Sequence, residues 1–496
     1  MENLPLIARA HDRVDSIAFR AGDEAVSYAR LLEESASLAG QMLDGRSDLE
    51  EGRVAFLAAP GLSYAATQWG VWRAGGVAVP LCASAAEAEW EYALKDSQTE
   101  LLVVGPAWCD RVRPLAERLG IRLLEIAGGQ EGEADVSLPD VRRERRAMIL
   151  YTSGTTSRPK GVVSTHRMIQ AQIEALVEAW KWKDSDSIPL FLPLHHVHGI
   201  INVLSCALWA GATIEPFPRF DLKRILARVE AGAYSLFMAV PTIYVKMIQA
   251  LEAMSDNERD KVIGGFQAMR LMISGSAALP ASIHARWEEL TGQRLLERYG
   301  MTEIGMAISN PYLGERRPGF VGLPLPGTEV RLVTESGRVV SGESEPGEIQ
   351  VRGDAVFAEY WQRPDITRDS FVDAWFRTGD IAVREDGYYR IMGRRSVDII
   401  KSGGYKLSAL EIEAILLDHP AIRECAVVGV PDETWGEAVA AAVVLESGET
   451  LELADLRIWC QDRMSTYKRP HRLLCVDSLP RNAMGKVTKP TVLEMF

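Results

Sequence analysis

The sequence predicts an α/β protein: a large N-terminal domain of layered α/β sheets that contains a β-rich subdomain, then a small α+β C-terminal domain. Three observations carry this reading. Short apolar runs alternate with longer amphipathic stretches to about residue 300. Residues 316–392 differ, because Gly/Pro turns separate short alternating strands such as 348–352 and 388–392. At Gly393-Arg394-Arg395-Ser396-Val397-Asp398 charged and small residues interrupt the strand pattern, and a compact segment follows. The expected parts are therefore 1–393 and 394–496.

The elements follow in order. Apolar runs at 54–58, 77–81 and 101–104 read as buried strands with helical segments between. Residues 128–135 read as a polar, glycine-rich surface loop. The run 147–151 reads as another buried strand, and Ile169, Ile173, Leu176, Val177 and Trp180 mark an amphipathic helix. Beyond the boundary, Ser408-Ala409-Leu410-Glu411 matches a capping box. Strands at 425–430 and 438–444 come next, and a basic loop ends in Gly485-Lys486.

At 496 residues the chain is too long for one compact core. Charged residues make up 25% and apolar ones 47%, the balance of a soluble enzyme. A net charge of −13 disfavours nucleic acid and anionic membrane as partners. No apolar run reaches membrane-spanning length, and the N-terminus lacks a signal pattern. The six cysteines are scattered, with no C-x-x-C pair, which suits a reducing compartment. The expectation is a cytoplasmic protein, monomeric or weakly homo-oligomeric.

Between the strand and the helix lies Tyr151-Thr152-Ser153-Gly154-Thr155-Thr156-Ser157-Arg158-Pro159-Lys160-Gly161. A hydroxyl- and glycine-rich loop between a strand and a helix cradles phosphates, with backbone N–H groups and hydroxyls donating and lysine adding charge. Pro159-Lys160-Gly161 replaces the Gly-Lys-Ser/Thr of a P-loop, which disfavours that class.

This loop resembles the phosphate-binding signature of the adenylate-forming superfamily, which includes acyl-CoA synthetases, with Ser157 where a glycine is usual. Further motifs fit the same family in order. In Arg298-Tyr299-Gly300-Met301-Thr302-Glu303 the resemblance implies that Tyr299 packs on adenine, Thr302 contacts phosphate and Glu303 holds Mg²⁺. In Arg377-Thr378-Gly379-Asp380 it gives Asp380 the ribose hydroxyls, with Arg394 as its partner at a hinge. In Lys401-Ser402-Gly403-Gly404-Tyr405-Lys406 it gives Gly403 and Gly404 a pantetheine tunnel. Lys486 matches the catalytic lysine of a mobile C-terminal domain, bridging the attacking carboxylate and the α-phosphate. ATP, Mg²⁺ and coenzyme A are the implied ligands.

The acid is read from two further segments. Leu192-Pro193-Leu194-His195-His196-Val197-His198-Gly199 holds three of the eight histidines, and the family places an acyl-entry gate at His196. The His-x-His pair could bind a metal, but no second ligand cluster supports that. Together with 268–277, which includes Ser274, and with Met306 after Glu303, this segment is similar to malonyl-CoA synthetases. Arg270 is the only charge between Ala268 and Ala281. A buried guanidinium needs a partner, and the second carboxylate of malonate would provide one. The alternative is a structural ion pair. Ser274 and Met306 are the other expected substrate contacts, Met306 keeping the acyl group short. Methylmalonate, a short fatty acid or an aryl acid stay open within the class, as does a non-catalytic nucleotide-binding paralogue outside it.

Overall fold

The computed structural model describes residues 4–22, 24–126, 137–152, 159–403, 405–481 and 486–496. The loop expected at 128–135 lies outside these residues, as do the site calls on Ser153, Gly154, Thr155, Thr156, Ser157, Arg158 and Gly404.

The widest sheet orders its strands Glu359–Tyr360, Lys160–Thr165, Arg146–Thr152, Val77–Pro80, Arg53–Leu57, Leu101–Val104 and Arg122–Glu125. The five from Arg146–Thr152 onward run parallel. Val77–Pro80 and Leu101–Val104 are buried throughout, which is why they read as unbroken apolar runs. The amphipathic helix is His166–Ala179, with Thr165 Oγ1 accepting from Met168 N–H.

One expectation about the phosphate loop is corrected. The helix does not follow the loop directly, because Lys160–Thr165 intervenes as a strand antiparallel to Arg146–Thr152. Val162, Val163 and Thr165 are β-branched and favour that state. Lys160 is thus a strand residue paired with Thr152, and the helix N-terminus is not its neighbour. Gly161 belongs to the same pairing, since a β-carbon there would lie 2.7 Å from Ile149 Cγ2.

A second sheet orders Leu236–Ala239, Leu271–Ser274, Leu296–Met301, Gly305–Ser309 and Leu323–Pro324, the first three parallel. The β-rich stretch forms an antiparallel sheet of Thr328–Val333, Gly347–Gly353, Trp375–Glu385 and Phe371–Val372, with Tyr388–Arg394 paired to Trp375–Glu385. Ile349, Val351, Phe357, Tyr360 and Phe376 pack with Ile308 of the second sheet and Ile304 of the turn before it, so this stretch shares a core with its neighbour.

Beyond Arg394 the chain builds a further sheet of Tyr405–Ser408, Ile399–Ser402, Gly436–Leu445 and Ile422–Asp432, with Arg472–Cys475 parallel to Gly436–Leu445. Its faces are covered separately. Ile412 and Leu416 of the helix Ala409–Leu416 cover one, and Leu479 and Val492 the other. Ser408 caps that helix by accepting from Glu411 N–H at 3.1 Å.

Candidate active site

Asp380 is the best-held carboxylate of the site. It sits on Trp375–Glu385, directly opposite Arg394 in the neighbouring strand. Arg394 Nε donates to Oδ1 at 3.1 Å and the Tyr299 hydroxyl to Oδ2 at 2.6 Å. Asp380 N–H itself donates to Thr378 Oγ1 at 3.1 Å. Two donors therefore fix the plane of the carboxylate, leaving acceptor capacity for a ligand's hydroxyls. Burial, then the charge of Asp380, raises the Tyr299 phenol well above its usual range, so it stays a donor.

Glu303 lies in the turn between Leu296–Met301 and Gly305–Ser309, directly after half-buried Thr302. It accepts from the Tyr360 hydroxyl at 2.8 Å. Lys160 Nζ stands 4.2 Å from the centre of the same tyrosine ring. Burial raises the Glu303 carboxyl, while Tyr360, Lys160 and Arg394 pull it back towards the charged form. The flank of the phosphate loop is pinned from outside, with the Tyr92 hydroxyl donating to Pro159 O at 2.6 Å and Tyr151 to Asp96 Oδ2 at 3.0 Å. Thr152 Oγ1 donates to Lys160 O at 3.4 Å.

The acyl side is built where Leu271–Ser274 and Leu296–Met301 meet the segment that opens at His196. Arg298 is 4% exposed and has no ion pair among the described residues. Its Nη2 reaches Ser276 Oγ only at 3.5 Å, and its Nε has no partner. Burial pulls its pKa down to about 9, the mark of a cation held without a counter-charge. Gly275 makes room for it, since a β-carbon there would lie 2.4 Å from Arg298 Cζ. Ser276 adopts φ 70, a strained value for a non-glycine residue, and shares a 3.1 Å hydrogen bond with His198 Nδ1. His198 opens a π-helix, His198–Ser205, a rare element that occurs frequently at functional sites. Ser274 is 1% exposed with an unpartnered Oγ at the carboxyl end of its strand. Met306 is buried beneath Gly300, its partner in the ladder.

Arg270 requires a correction. It precedes Leu271–Ser274, so it stands at the amino end of a strand whose carboxyl end holds Ser274, roughly 13 Å away for four residues of extended chain. Its Nε donates to Asp186 Oδ1 at 2.8 Å, Nη2 to Oδ2 at 2.5 Å and Nη1 to Trp180 O at 2.9 Å. The guanidinium is used up by a bidentate pair with a carboxylate 84 residues earlier in the chain. The structural ion pair is therefore the correct alternative, and Arg298 is the buried arginine of this region without an ion pair among the described residues.

Lys486 reaches this cluster from the small C-terminal part. It meets solvent, yet enclosure by protein, then Arg394 and Arg298, hold its ammonium below the usual lysine range, with Asp380 pulling the other way. It also lowers the His196 imidazole, which burial first and then His195 bring to about 3, so that ring is neutral. The rings of His195 and His196 are 4.1 Å apart. Gly403 is not part of this gathering. It lies between Ile399–Ser402 and Tyr405–Ser408, donates to Trp435 O at 2.8 Å and has room for no β-carbon beside that indole.

The structure thus brings together Lys160, Tyr299, Glu303, Asp380, Arg394, His196 and Lys486. Sequence reasoning missed Arg298, Ser276, His198 and Tyr360. Arg298 stood in the quoted motif, in the charged pair Glu297-Arg298 that follows the apolar Leu295-Leu296, and that contrast was the available signal. Tyr360 carried none, because its neighbour Glu303 is 57 residues away.

Known proteins resemble this chain in sequence and in fold. The AMP-binding enzyme family model matches residues 6–361, and the AMP-binding enzyme C-terminal domain model matches 411–486. The mitochondrial malonate–CoA ligase of Xenopus laevis is 47% identical over 90% of this chain and 83% of its own. That of Mus musculus is 44% identical over 100% of this chain and 91% of its own. The crystal structure of ATP-bound MatB from Rhodopseudomonas palustris superposes with a TM-score of 0.89 at 32% identity, covering 99% of both chains. With one family model spanning well over half its length and a second matching its C-terminal region, the chain belongs to the AMP-binding enzyme family.

Proposed function

We propose that the chain is an ATP-dependent malonate–CoA ligase that works through malonyl adenylate. One observation carries the choice of acid: Arg298 is a buried cation without a counter-ion among the described residues, set against Ser276 and His198. A carboxylate entering there is charge-matched, and malonate keeps one after the other is activated. The names of the relatives from Xenopus laevis and Mus musculus support the same acid.

In this reading Tyr299 packs on adenine, Asp380 accepts from the ribose hydroxyls, and Thr152, Thr302 and Lys160 attend the phosphates. One malonate carboxylate attacks the α-phosphorus, pyrophosphate leaves, and Lys486 offsets the negative charge that crowds there. The small part, divided from the large one at 393/394, then turns. The CoA sulfur attacks the acyl carbon and AMP leaves. Gly403 and Gly404 line the path of the pantetheine arm in that second pose, and neutral His196 stands at the acyl entrance. ATP and CoA are consumed as substrates.

Among the described residues no group of three or more His, Cys, Asp or Glu could hold a metal. Glu303 nevertheless fits Mg²⁺, which takes one or two carboxylates and fills the rest of its shell with phosphate oxygens and water. When bound, the ion would neutralise phosphate charge. Glu303 would hold it, and Tyr360 would orient that carboxylate.

No described helix is long and apolar enough to cross a membrane. All six cysteines are free, which fits a reducing interior, cytoplasmic or like the mitochondrial one named for the vertebrate relatives. The test is a CoA-thioester assay with ATP across malonate, methylmalonate, succinate, acetate, butyrate and benzoate. Malonate should give the highest kcat/KM, with AMP and pyrophosphate as products. Preference for butyrate or benzoate would overturn the reading.

A further inference from the structure

Three residues past Lys486, Lys489 opens the helix Lys489–Leu493. Its Nζ lies 2.5 Å from Asp398 Oδ1 and 2.7 Å from Glu413 Oε1, and the three side chains are only 11%, 13% and 14% exposed. Each carboxylate is also tied elsewhere. Asp398 Oδ2 accepts from Arg394 N–H at 2.9 Å, and the Arg394 side chain holds Asp380. Glu413 Oε1 accepts from Val427 N–H at 2.7 Å, on the long strand Ile422–Asp432. Close to Lys486, Val487 bridges to Arg481, and Thr488 N–H donates to Pro480 O at 2.9 Å.

This is more than helix anchoring requires. Val492 is fully buried and already fastens the helix to the sheet. A largely enclosed ion triad of this kind adds little net stability over apolar packing, because desolvation offsets attraction. What it does add is a tie between three segments, since one ammonium stands at ion-pair distance from both Asp398 and Glu413, although its Nζ has hydrogen-bond geometry to neither. Asp398 belongs to the segment that joins the two parts of the chain, where Val397 and Asp398 N–H both turn back to Arg394 O. The triad therefore connects the stem of Lys486 to Arg394, one of the two residues that hold Asp380.

We propose that Lys489 is a positioning residue: through Asp398 and Glu413 it sets the pose in which Lys486 enters the site. This rests on the reading of Lys486 as the adenylation lysine. A one-ångström misplacement of a catalytic group costs on the order of 100-fold, which sets the scale of the effect.

The experiment measures two half-reactions separately in the full-length protein: malonate-dependent exchange of labelled pyrophosphate into ATP, and thioester formation from supplied malonyl adenylate and CoA. The variants are Lys489→Met, Lys489→Arg, Lys486→Ala and the Lys486→Ala/Lys489→Met double. Lys489→Met should slow exchange about 10- to 100-fold. Its KM for ATP and malonate and its thioester step should stay within about threefold of wild type. Lys489→Arg should recover most of the loss. The double variant should exchange no more slowly than Lys486→Ala alone, because the effect runs through Lys486.

Unchanged exchange in Lys489→Met, equal loss in both half-reactions, or multiplying losses in the double would overturn the proposal. If Lys489→Met does not fold, Asp398→Asn is the substitute. It keeps an acceptor for Arg394 N–H while removing the charge that Lys489 meets, and it should slow the same half-reaction. Full exchange by Lys486→Ala would instead overturn the role of Lys486 itself, and with it this one.

Discussion

At the scale of single residues, Arg298 and Arg270 show how a charge is read. Arg298 is a buried arginine within Leu296–Met301, and Arg270 is a half-buried one just before the adjacent strand Leu271–Ser274; the sequence argument that a guanidinium must find an anion was made for Arg270 alone. Arg270 finds Asp186, which no sequence spacing could reveal. Arg298 finds none among the described residues. The predictions diverge accordingly. Arg298→Ala should lower kcat/KM for malonate by about 30-fold to several thousand-fold, the range for truncating one partner of a buried charge pair, and leave butyrate nearly unchanged. Arg270→Ala should instead cost stability, on the order of 3–5 kcal/mol by denaturant titration, because Asp186 is left buried and unpaired. Its ratio of malonate to butyrate activity should match wild type. A shifted ratio with wild-type stability would restore Arg270 to the pocket. Asp380→Ala removes the acceptor held by Tyr299 and Arg394, and calorimetry should show ATP binding weakened by roughly 1.5–3 kcal/mol. Unchanged affinity in a folded variant would count against the ribose role.

At the scale of elements, the parallel strands were legible because both of their faces are buried and their apolar runs are unbroken. The capped helix Ala409–Leu416 was legible because its signal is local, Ser408 to Glu411. The strand Lys160–Thr165 was not, since its pairing with Arg146–Thr152 crosses a loop whose composition suggested a different architecture. The π-helix His198–Ser205 was equally hidden, because its apolar residues fit several helical periods. The turn after Leu271–Ser274 makes the sharpest test at this scale. It combines a glycine with no space for a β-carbon and a serine at positive φ. Gly275→Ala should push the Arg298 guanidinium aside, and a shift of that size should cost malonate kcat/KM about 10- to 100-fold with KM for ATP unchanged. Wild-type malonate kinetics in this variant would show that Arg298 does not act from its present place.

At the scale of the whole molecule, burial of neutral imidazoles makes the fold acid-sensitive. His166 is 7% exposed, and burial, then Arg145, lowers it to about 3. His195 is lowered to about 4 and His196 to about 3. The unfolded chain takes up these protons as pH falls through its ordinary value near 6.5, while the folded chain refuses them until its lowered pKa is reached. Stability is therefore full above about 6.5 and falls below it, by up to about 1.4 kcal/mol per pH unit for each fully buried imidazole. Thermal melts should show Tm declining from pH 7 to pH 5, and His166→Gln should shallow that slope. A flat profile would contradict the neutral assignment.

The central claim also belongs to this scale: one site, in which the small part of the chain delivers Lys486 to an acid held by the large part. The most direct measurement is malonate-dependent exchange of labelled pyrophosphate into ATP without CoA, in wild type and Lys486→Ala, beside thioester formation from supplied malonyl adenylate. The account predicts exchange in wild type, its loss by about 100-fold or more in the variant, and a thioester step largely kept. Absence of malonate-dependent exchange in wild type, or equal loss of both half-reactions in the variant, would contradict it.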